Sequence, residues 1–334
     1  MIKEENFIIT EEPTPSISEN EILVENIYCS TEPYQRGRMI PPPKKTSASS
    51  ARTGRFPPIE LGGSIAGETV GKVIESKSSL YNVGDYIMHT NGWEDYSVLN
   101  ILLGDPVPRK INITGDADED CLKYIVTRGL VARTAYYSLV HCMNVQPGDV
   151  IAVSGAMGGV GHMLIQLALK LGASKVYGIT STEEKAKQVS DLGGTPIVVP
   201  KNAKLNDLMK IIDSSVHDEI NHYHENVSNS HFMGVMKHMA IGGTMVYCGA
   251  MSLYNATMPS PGPNIMALIY NDVTITGCFL SNLDADSFHS FMDQHADDLT
   301  YFTSVYDGLN QIPTQFCQHF VLPDSRMGKS VCKL

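Results

Sequence analysis

Residues 150–172 read VIAVSGAMGGVGHMLIQLALKLG. The first five, Val150 to Ser154, are an apolar run of strand length. From 160 to 171 apolar side chains recur at helical spacing, and Gly172 follows as a stop signal. Between the two lies Ser154-Gly155-Ala156-Met157-Gly158-Gly159-Val160-Gly161. Glycines there allow a phosphate to approach the backbone, and the helix start offers unpaired N–H groups at the positive end of its dipole. A second strand is expected at 175–179. Strand, glycine turn, helix and second strand together read as a pyrophosphate-binding turn for a dinucleotide. The alternative is a tight turn that only connects packed elements.

Working outward, the pattern keeps alternating. A helix is expected over 183–192, and strands over 197–199, 217–223, 244–248 and 273–276. Such alternation implies an α/β domain with a parallel sheet covered by helices, a doubly wound Rossmann arrangement. From about 284 the chain reads as helix, strand (301–306), helix (313–318) and a last strand (330–333). Residues 1–115 differ. Short strands at 21–28, 67–74 and 82–89, the last entered through a turn at Gly84-Asp85, suggest a partly closed β-barrel. The segment 41–58, PPPKKTSASSARTGRFPP, is the lowest-complexity stretch and reads as a long loop.

Composition excludes several function classes. The 334 residues are 43% apolar, enough for two cores. No apolar run reaches the roughly 18 residues a membrane span needs. The charged start MIKEENFIITEE lacks a signal-peptide core, which points to a cytoplasmic protein. The N-x-[ST] matches at Asn112, Asn226 and Asn255 are then chance occurrences. A net charge of −11 without a basic stripe argues against nucleic acid. The seven cysteines, Cys29, Cys121, Cys142, Cys248, Cys278, Cys317 and Cys332, are scattered and form no C-x-x-C. They read as reduced thiols, not a disulfide framework or a structural zinc lobe.

The end of the second strand bears on which dinucleotide binds. NAD enzymes place Asp or Glu there for the ribose 2′-hydroxyl. Here the chain reads Gly178-Ile179-Thr180-Ser181-Thr182, with no carboxylate. Thr180, Ser181 and Lys185 suit a 2′-phosphate instead, which favours NADP(H). Glu183 and Glu184 weaken that positive field, and Lys185 as a solvated, paired helix residue is the blander reading.

On these residues the chain resembles the medium-chain dehydrogenase/reductase superfamily. It is most similar to the zinc-free group of prostaglandin reductases, leukotriene B4 12-hydroxydehydrogenases and 2-alkenal reductases. Thr31-Glu32-Pro33-Tyr34-Gln35-Arg36-Gly37-Arg38-Met39 looks like that group's D-P-Y-M-R-G-R-M, and Asn91-Gly92-Trp93-Glu94-Asp95-Tyr96 like its G-W-x-E/D-Y. Thr134-Ala135-Tyr136 matches its T-A-Y helix. Cys248-Gly249-Ala250-Met251-Ser252-Leu253-Tyr254-Asn255 is close to C-G-A-I-S-x-Y-N. Pro261-Gly262-Pro263 with Ile269-Tyr270, and Met327-Gly328-Lys329, complete the series.

The resemblance implies a Rossmann domain over 119–289. It also implies a GroES-like, partly closed β-barrel catalytic domain from 1–118 and 290–334. It implies that Gly158, Gly159, Val160 and Gly161 hold the pyrophosphate and Lys185 the 2′-phosphate, beside the Thr180 and Ser181 hydroxyls read there from the residues themselves. Asn226, Cys248, Gly249 and Ala250 would line the cofactor, and Phe279, Leu280 and Ser281 would hold the carboxamide by their backbone. Three departures stand out. Pro200 replaces the group's phosphate-binding tyrosine, Arg326 replaces an asparagine, and Ser228-Asn229 replace a Gly-Gly pair. Arg326 would add charge near the cofactor.

Zinc relatives carry a catalytic cysteine, a G-H-E turn and a four-cysteine lobe. Here the stretches read Cys29-Ser30-Thr31-Glu32 and Gly62-Gly63-Ser64, so a zinc site is not expected. The cluster His217, His222, His224, His231 and His238 reads as surface or strand-end histidines. Metal chelation by His222 and His224, on one strand face, is the minor alternative.

The implied reaction is NADPH-dependent reduction of the carbon–carbon double bond of an α,β-unsaturated ketone or aldehyde. Tyr254 would stabilise the enolate as a neutral phenol donor. Tyr34, Trp93 and Tyr96 are candidates for an apolar substrate wall. Arg52, Arg55, Lys44 and Lys45 could steer an anionic head group, but read more simply as solvated. Cys248 reads as a packing residue without an activating partner. A quinone reductase of the same superfamily and a non-catalytic NADPH-binding protein remain alternatives. A homodimer joined through an edge strand at 273–276 is expected.

Overall fold

The computed structural model describes residues 2–39, 58–103, 107–227, 230–254, 265–321 and 326–334. The segment 41–57, with Lys44, Lys45, Arg52 and Arg55, lies outside them, as do Ser228-Asn229, Asn255 and Pro261-Gly262-Pro263. The strands are β1 Glu21–Ser30, β2 Thr69–Ser76, β3 Tyr86–His89, β4 Tyr96–Asn100, β5 Arg109–Ile111, β6 Val150–Ser154 and β7 Lys175–Thr180. They continue with β8 Thr195–Val198, β9 Ile220–Glu225, β10 Met239–Tyr247, β11 Thr274–Gly277, β12 Thr303–Asp307 and β13 Lys329–Lys333. The helices are α1 Gln35–Arg38, α2 Ala117–Thr127, α3 Leu130–Tyr137, α4 Gly159–Lys170 and α5 Glu183–Asp191. After them come α6 Leu205–Ser215, α7 Ser230–Met236, α8 Ile265–Tyr270, α9 Ala285–His295 and α10 Ile312–Val321.

The chain divides into two compact units. One comprises Met1–Ile125, Val305–Pro323 and Ser330–Leu334. Its sheet runs β12-β13-β1-β2-β3-β5, with β4 also on β1, and β1 pairs antiparallel with β13, β2 and β4. Two register shifts interrupt the β1–β2 ladder, and such bulges bend a strand and help a sheet to curl. Ile22, Val24, Val73, Tyr81, Ile87, Leu99 and Ile101 fill one core. His89 of the same sheet is also buried, and its Nε2 lies 2.9 Å from Asn26 Oδ1.

The second unit comprises Val126–Ser304 and Asp324–Lys329. Its sheet order is β11-β10-β9-β6-β7-β8, and the pairs are parallel. The chain builds outward from β6 through β7 to β8, then crosses to the other side for β9, β10 and β11. The direction therefore reverses between β6 and β9, which is where doubly wound sheets open a binding crevice at their carboxyl ends. Apolar residues of the strands and covering helices, among them Ile179, Ile197, Leu208, Ile212, Phe232 and Met245, form its core.

The Rossmann and barrel-type architectures expected from the sequence are those the chain forms. β9 and β10 differ most from expectation in extent. β9 begins at Ile220 and runs on to Glu225, because its polar side chains are buried and partnered inside the unit instead of ending the strand. β10 starts at Met239, and a register shift absorbs Gly242-Gly243 before Thr244 pairs with His222. Among the described residues no helix is long and apolar enough to cross a membrane.

Candidate functional site

The glycine turn follows from local sterics. Gly155 takes φ of 60°, a left-handed conformation that disfavours side chains. Gly158 is the N-cap of α4 in extended backbone, and its N–H donates to the Gly155 carbonyl at 2.8 Å. A Cβ on Gly161 would lie 2.4 Å from the Gly155 oxygen and 2.7 Å from the Ala156 oxygen. Only glycine fits there, so the turn presses closely on the first turn of α4, whose start carries N–H groups without helical partners. These are the features a pyrophosphate needs. The segment ahead of β13 closes on the same turn, where Gly328 N–H donates to the Met157 carbonyl at 2.8 Å and Gly158 bridges Gly328. Arg326 stands two residues before that bridge.

Beside the turn, β6 and β9 end in a buried polar knot. Ser154 Oγ donates to Glu225 Oε1 at 2.5 Å, and the Tyr223 hydroxyl donates to Glu225 Oε2 at 2.7 Å. The Val227 N–H donates to Oε1 at 2.6 Å. Asn226 is fixed twice, its N–H donating to Ser154 Oγ at 2.9 Å and its Nδ2 to the Ser154 carbonyl at 2.8 Å. The loop after β10 hangs from the same strand end. Cys248 and Gly249 N–H groups both donate to the Glu225 carbonyl at 3.0 Å, and Met251 N–H donates to the Asn226 carbonyl at 3.0 Å. Gly158 to Gly161, Asn226 and the loop from Cys248 to Tyr254 therefore converge at one end of the sheet. Phe279 and Leu280 follow β11, and Cys278 N–H donates to the Tyr247 carbonyl at 2.8 Å, which brings that strand end beside the loop. Burial raises the Tyr254 phenol above its ordinary range, while a backbone hydrogen bond from Ala250 pulls the other way. Tyr254 is thus protonated at neutral pH and able to donate.

On the opposite side of β6 the site is open. Thr180 ends β7, and its carbonyl accepts from Val199 N–H at 2.8 Å, which sets Ser181 next to Pro200. Ser181, Pro200, Lys201 and Asn202 line an open depression. Thr182 caps α5 by accepting from the Lys185 N–H at 3.3 Å, and Lys185 is buried in the first turn.

Two residues of this site, Glu225 and Lys201, escaped the sequence reading, in which Ser154 figures only as the start of the glycine motif. Ser154 and Glu225 are the hub of the knot, and a carboxylate ending a strand beside Asn226 was the available signal. Lys201 follows Pro200 directly and brings a cation to the position where the group's tyrosine is missing.

Tyr34, Trp93 and Tyr96 belong to the first unit. Trp93 packs its ring 5.3 Å from Phe316 and 5.9 Å from Phe7, and its indole N–H donates to the Ser30 carbonyl at 3.1 Å. Tyr96 is exposed on β4, and Tyr34 is half-buried just before α1. The histidines read as surface or strand-end residues are separately partnered, and His222 and His224 are instead buried within β9, where each finds a polar partner inside the unit. His222 Nε2 lies 3.0 Å from Asp149 Oδ2, His238 Nε2 lies 2.9 Å from Asp213 Oδ1, and His224 Nε2 lies 3.0 Å from Ser138 Oγ. Among the described residues no group of three His, Cys, Asp or Glu is placed to hold a metal ion.

Comparison with known proteins agrees with this architecture. Residues 1–102 match the family model described as N-terminal domain of oxidoreductase, and residues 159–297 match zinc-binding dehydrogenase. The chain is 26% identical to NADPH-dependent curcumin reductase of Escherichia coli, over 99% of this chain and 92% of that protein. It is 25% identical to prostaglandin reductase 1 of Rattus norvegicus, over 98% and 94%. Among solved structures it is similar to CurA from Vibrio vulnificus in complex with NADPH, with a TM-score of 0.81 and 26% identity over 98% of this chain and 94% of that one. The chain belongs to the medium-chain dehydrogenase/reductase superfamily, in the group that includes the prostaglandin and 2-alkenal reductases.

Proposed function

We propose that this protein reduces the carbon–carbon double bond of α,β-unsaturated ketones or aldehydes with NADPH. It is an NADP-dependent oxidoreductase, and the finer reading concerns the bond reduced and the residues used. The observation that carries it is the convergence of the glycine cradle, Asn226 and the loop ending in Tyr254 at the switch point of the parallel sheet.

The residues fit the dinucleotide. Gly158, Gly159, Val160 and Gly161 would take the pyrophosphate at the start of α4. Thr180, Ser181 and Lys185 would meet the 2′-phosphate, and Arg326 would add charge beside the turn. Asn226, Cys248, Gly249 and Ala250 would hold the nicotinamide ribose side, with Phe279, Leu280 and Ser281 supplying backbone groups to the carboxamide. When bound, the cofactor supplies a hydride to the β-carbon of the enone. Tyr254 then donates a hydrogen bond to the carbonyl oxygen as enolate charge develops, a donor its burial keeps protonated, and the α-carbon takes its proton from Tyr254 or water. Positioning by the rigid knot at Glu225 holds that donor's loop in register.

In this reading 119–289 is the cofactor domain, and 1–118 with 290–334 the catalytic domain. Tyr34, Trp93 and Tyr96 each keep part of the side chain accessible for an apolar substrate tail. β11 is the edge of the parallel sheet, and Ile275 on it is 38% exposed, with Ile269 and Tyr270 of α8 at 62% and 73%. An open strand edge flanked by apolar side chains suits pairing with a second copy, which supports a homodimer.

The test mixes purified protein with a medium-chain 2-alkenal and follows NADPH loss, then repeats it with NADH. Rapid loss with NADPH and slow loss with NADH supports the proposal. Loss only with a simple quinone supports the quinone-reductase alternative. Tyr254→Phe should lower kcat about 10- to 100-fold and leave the KM for NADPH unchanged.

A further inference from the structure

Three cysteines far apart in sequence meet at the end of β10 and β11. Tyr247 and Gly277 are register partners in this parallel pair, so Cys248 and Cys278 leave the paired ends one residue later. Cys142 arrives from the π-helical turn Ser138–Met143 that continues α3. The Ser138 hydroxyl donates to Cys278 Sγ at 3.1 Å, and the Cys142 and Cys248 thiols lie near enough to act on the same sulphur.

We propose that Cys278 is an oxidation site for peroxides, and that its sulfenic acid is closed by Cys142 or Cys248 to a disulfide that stops turnover.

The electrostatics divide the three sulphurs by role. The neighbouring Cys142 and Cys248 thiols and the Ser138 hydroxyl favour the Cys278 thiolate and pull its pKa far below an ordinary thiol's. The adjacent Cys278 sulphur, together with burial, pushes Cys142 and Cys248 up and keeps both protonated. One sulphur is therefore nucleophilic, and two remain protonated beside it. Ser138 has a single proton. Having donated it to Cys278, the hydroxyl accepts from His224 Nε2–H, 3.0 Å away. Burial holds His224 neutral, with its pKa pushed down to about 4. A chain of donors from imidazole through hydroxyl thus ends on the Cys278 sulphur. Cys278 is half-buried, so a small peroxide can reach it.

The other cysteines supply an internal contrast. Cys29 and Cys332 are direct register partners across β1 and β13. Yet Cys29 is fully buried and its thiol is pushed well up, which leaves no thiolate to attack a peroxide. Cys121 and Cys317 are likewise pushed up by burial.

The chemistry balances with hydrogen peroxide as the oxidant. The Cys278 thiolate attacks one peroxide oxygen, giving the sulfenic acid and hydroxide. The neighbouring thiol then displaces that oxygen as water, having lost its own proton, and a sulphur–sulphur bond forms. Cys248 opens the loop to Tyr254, and Cys278 directly precedes Phe279 to Ser281. Oxidation therefore changes both strand ends that the proposed function assigns to the nicotinamide. The effect on turnover rests on that reading, whereas the disulfide chemistry does not.

The test treats the full-length protein with stepwise hydrogen peroxide and measures intact mass, thiol count, disulfide peptides and NADPH-dependent turnover. The expected result is a mass lower by two hydrogens and a disulfide that contains Cys278. Turnover should fall at least about tenfold and return with dithiothreitol. Cys278→Ser should keep its turnover after the same treatment. Seven thiols left after peroxide would overturn the proposal. So would a disulfide that excludes Cys278, inactivation of Cys278→Ser at the wild-type rate, or a Cys278 disulfide with unchanged turnover. If untreated protein reduces no enone, the functional reading fails, and the disulfide map still decides the chemistry of Cys278.

Discussion

The two sides of β6 are built in opposite ways. On the β9 side, Ser154, Tyr223, Glu225 and Asn226 are locked by hydrogen bonds of 2.5 to 2.9 Å among themselves. On the β7 side, Ser181, Pro200, Lys201 and Asn202 surround an open depression. The first side defines geometry, because a buried carboxylate with three donors has one satisfactory arrangement. In the proposed reading the second side would select by charge, and charge tolerates substitution, so NADPH could be held without the group's tyrosine at Pro200.

Disturbing the rigid side should have the largest effects. Gly161→Ala must place a Cβ within 2.4 Å of the Gly155 oxygen, against backbone that has no room to move. The expected outcome is loss of NADPH binding by at least about 100-fold and destabilisation of about 3 kcal/mol or more. Fluorescence titration with NADPH and a thermal melt would check both. Glu225→Gln keeps the shape but swaps one acceptor for a donor facing Ser154, Tyr223 or Val227. Urea unfolding should show a cost of about 2 to 4 kcal/mol, because a buried partner is left unsatisfied.

Acid should separate buried networks from open charge in both units. Burial pushes the pKa of His89 down to about 3, and those of His162 and His224 down to about 4. Each folded value lies below the ordinary 6.5, so the unfolded chain binds more protons between the two. Stability therefore rises with pH across this window and is lost as pH falls from about 6.5 toward 4. Each histidine contributes a slope of about 1.4 kcal/mol per pH unit. His89→Gln should lower the measured slope by one such share, and unfolding midpoints at pH 5 and pH 7 would show it.

The open side should respond least and most selectively. Lys201→Ala should raise the KM for NADPH about tenfold or less while leaving NADH kinetics unchanged. Lys185→Ala should act in the same direction. An equal effect on both cofactors would place these lysines elsewhere than at the 2′-phosphate.

Much of this architecture was legible in the sequence, for identifiable reasons. Continuous apolar runs such as VIAV mark buried parallel strands, and the glycine turn is dictated by a contact that no side chain survives. What was not legible depends on contacts between distant segments. Glu225 reads as an ordinary strand-end carboxylate until Ser154 and Tyr223 are seen to close on it. Cys278 looks like one of seven scattered thiols until β10 and β11 pair and Ser138 arrives from α3. His222 and His224 do share a strand face, as spacing indicated, but each is taken by a different partner. Side-chain spacing along one element is local information, whereas the hydrogen-bond partner is set by topology.

The central claim is that hydride reaches the β-carbon of an enone through the site at the end of β6, β9 and β10. The direct measurement is turnover of a 2-alkenal with NADPH carrying deuterium at its transferable position, followed by NMR of the product. The account predicts a saturated aldehyde with deuterium on the β-carbon. Deuterium on the carbonyl carbon of an allylic alcohol, or no labelled product, would contradict it.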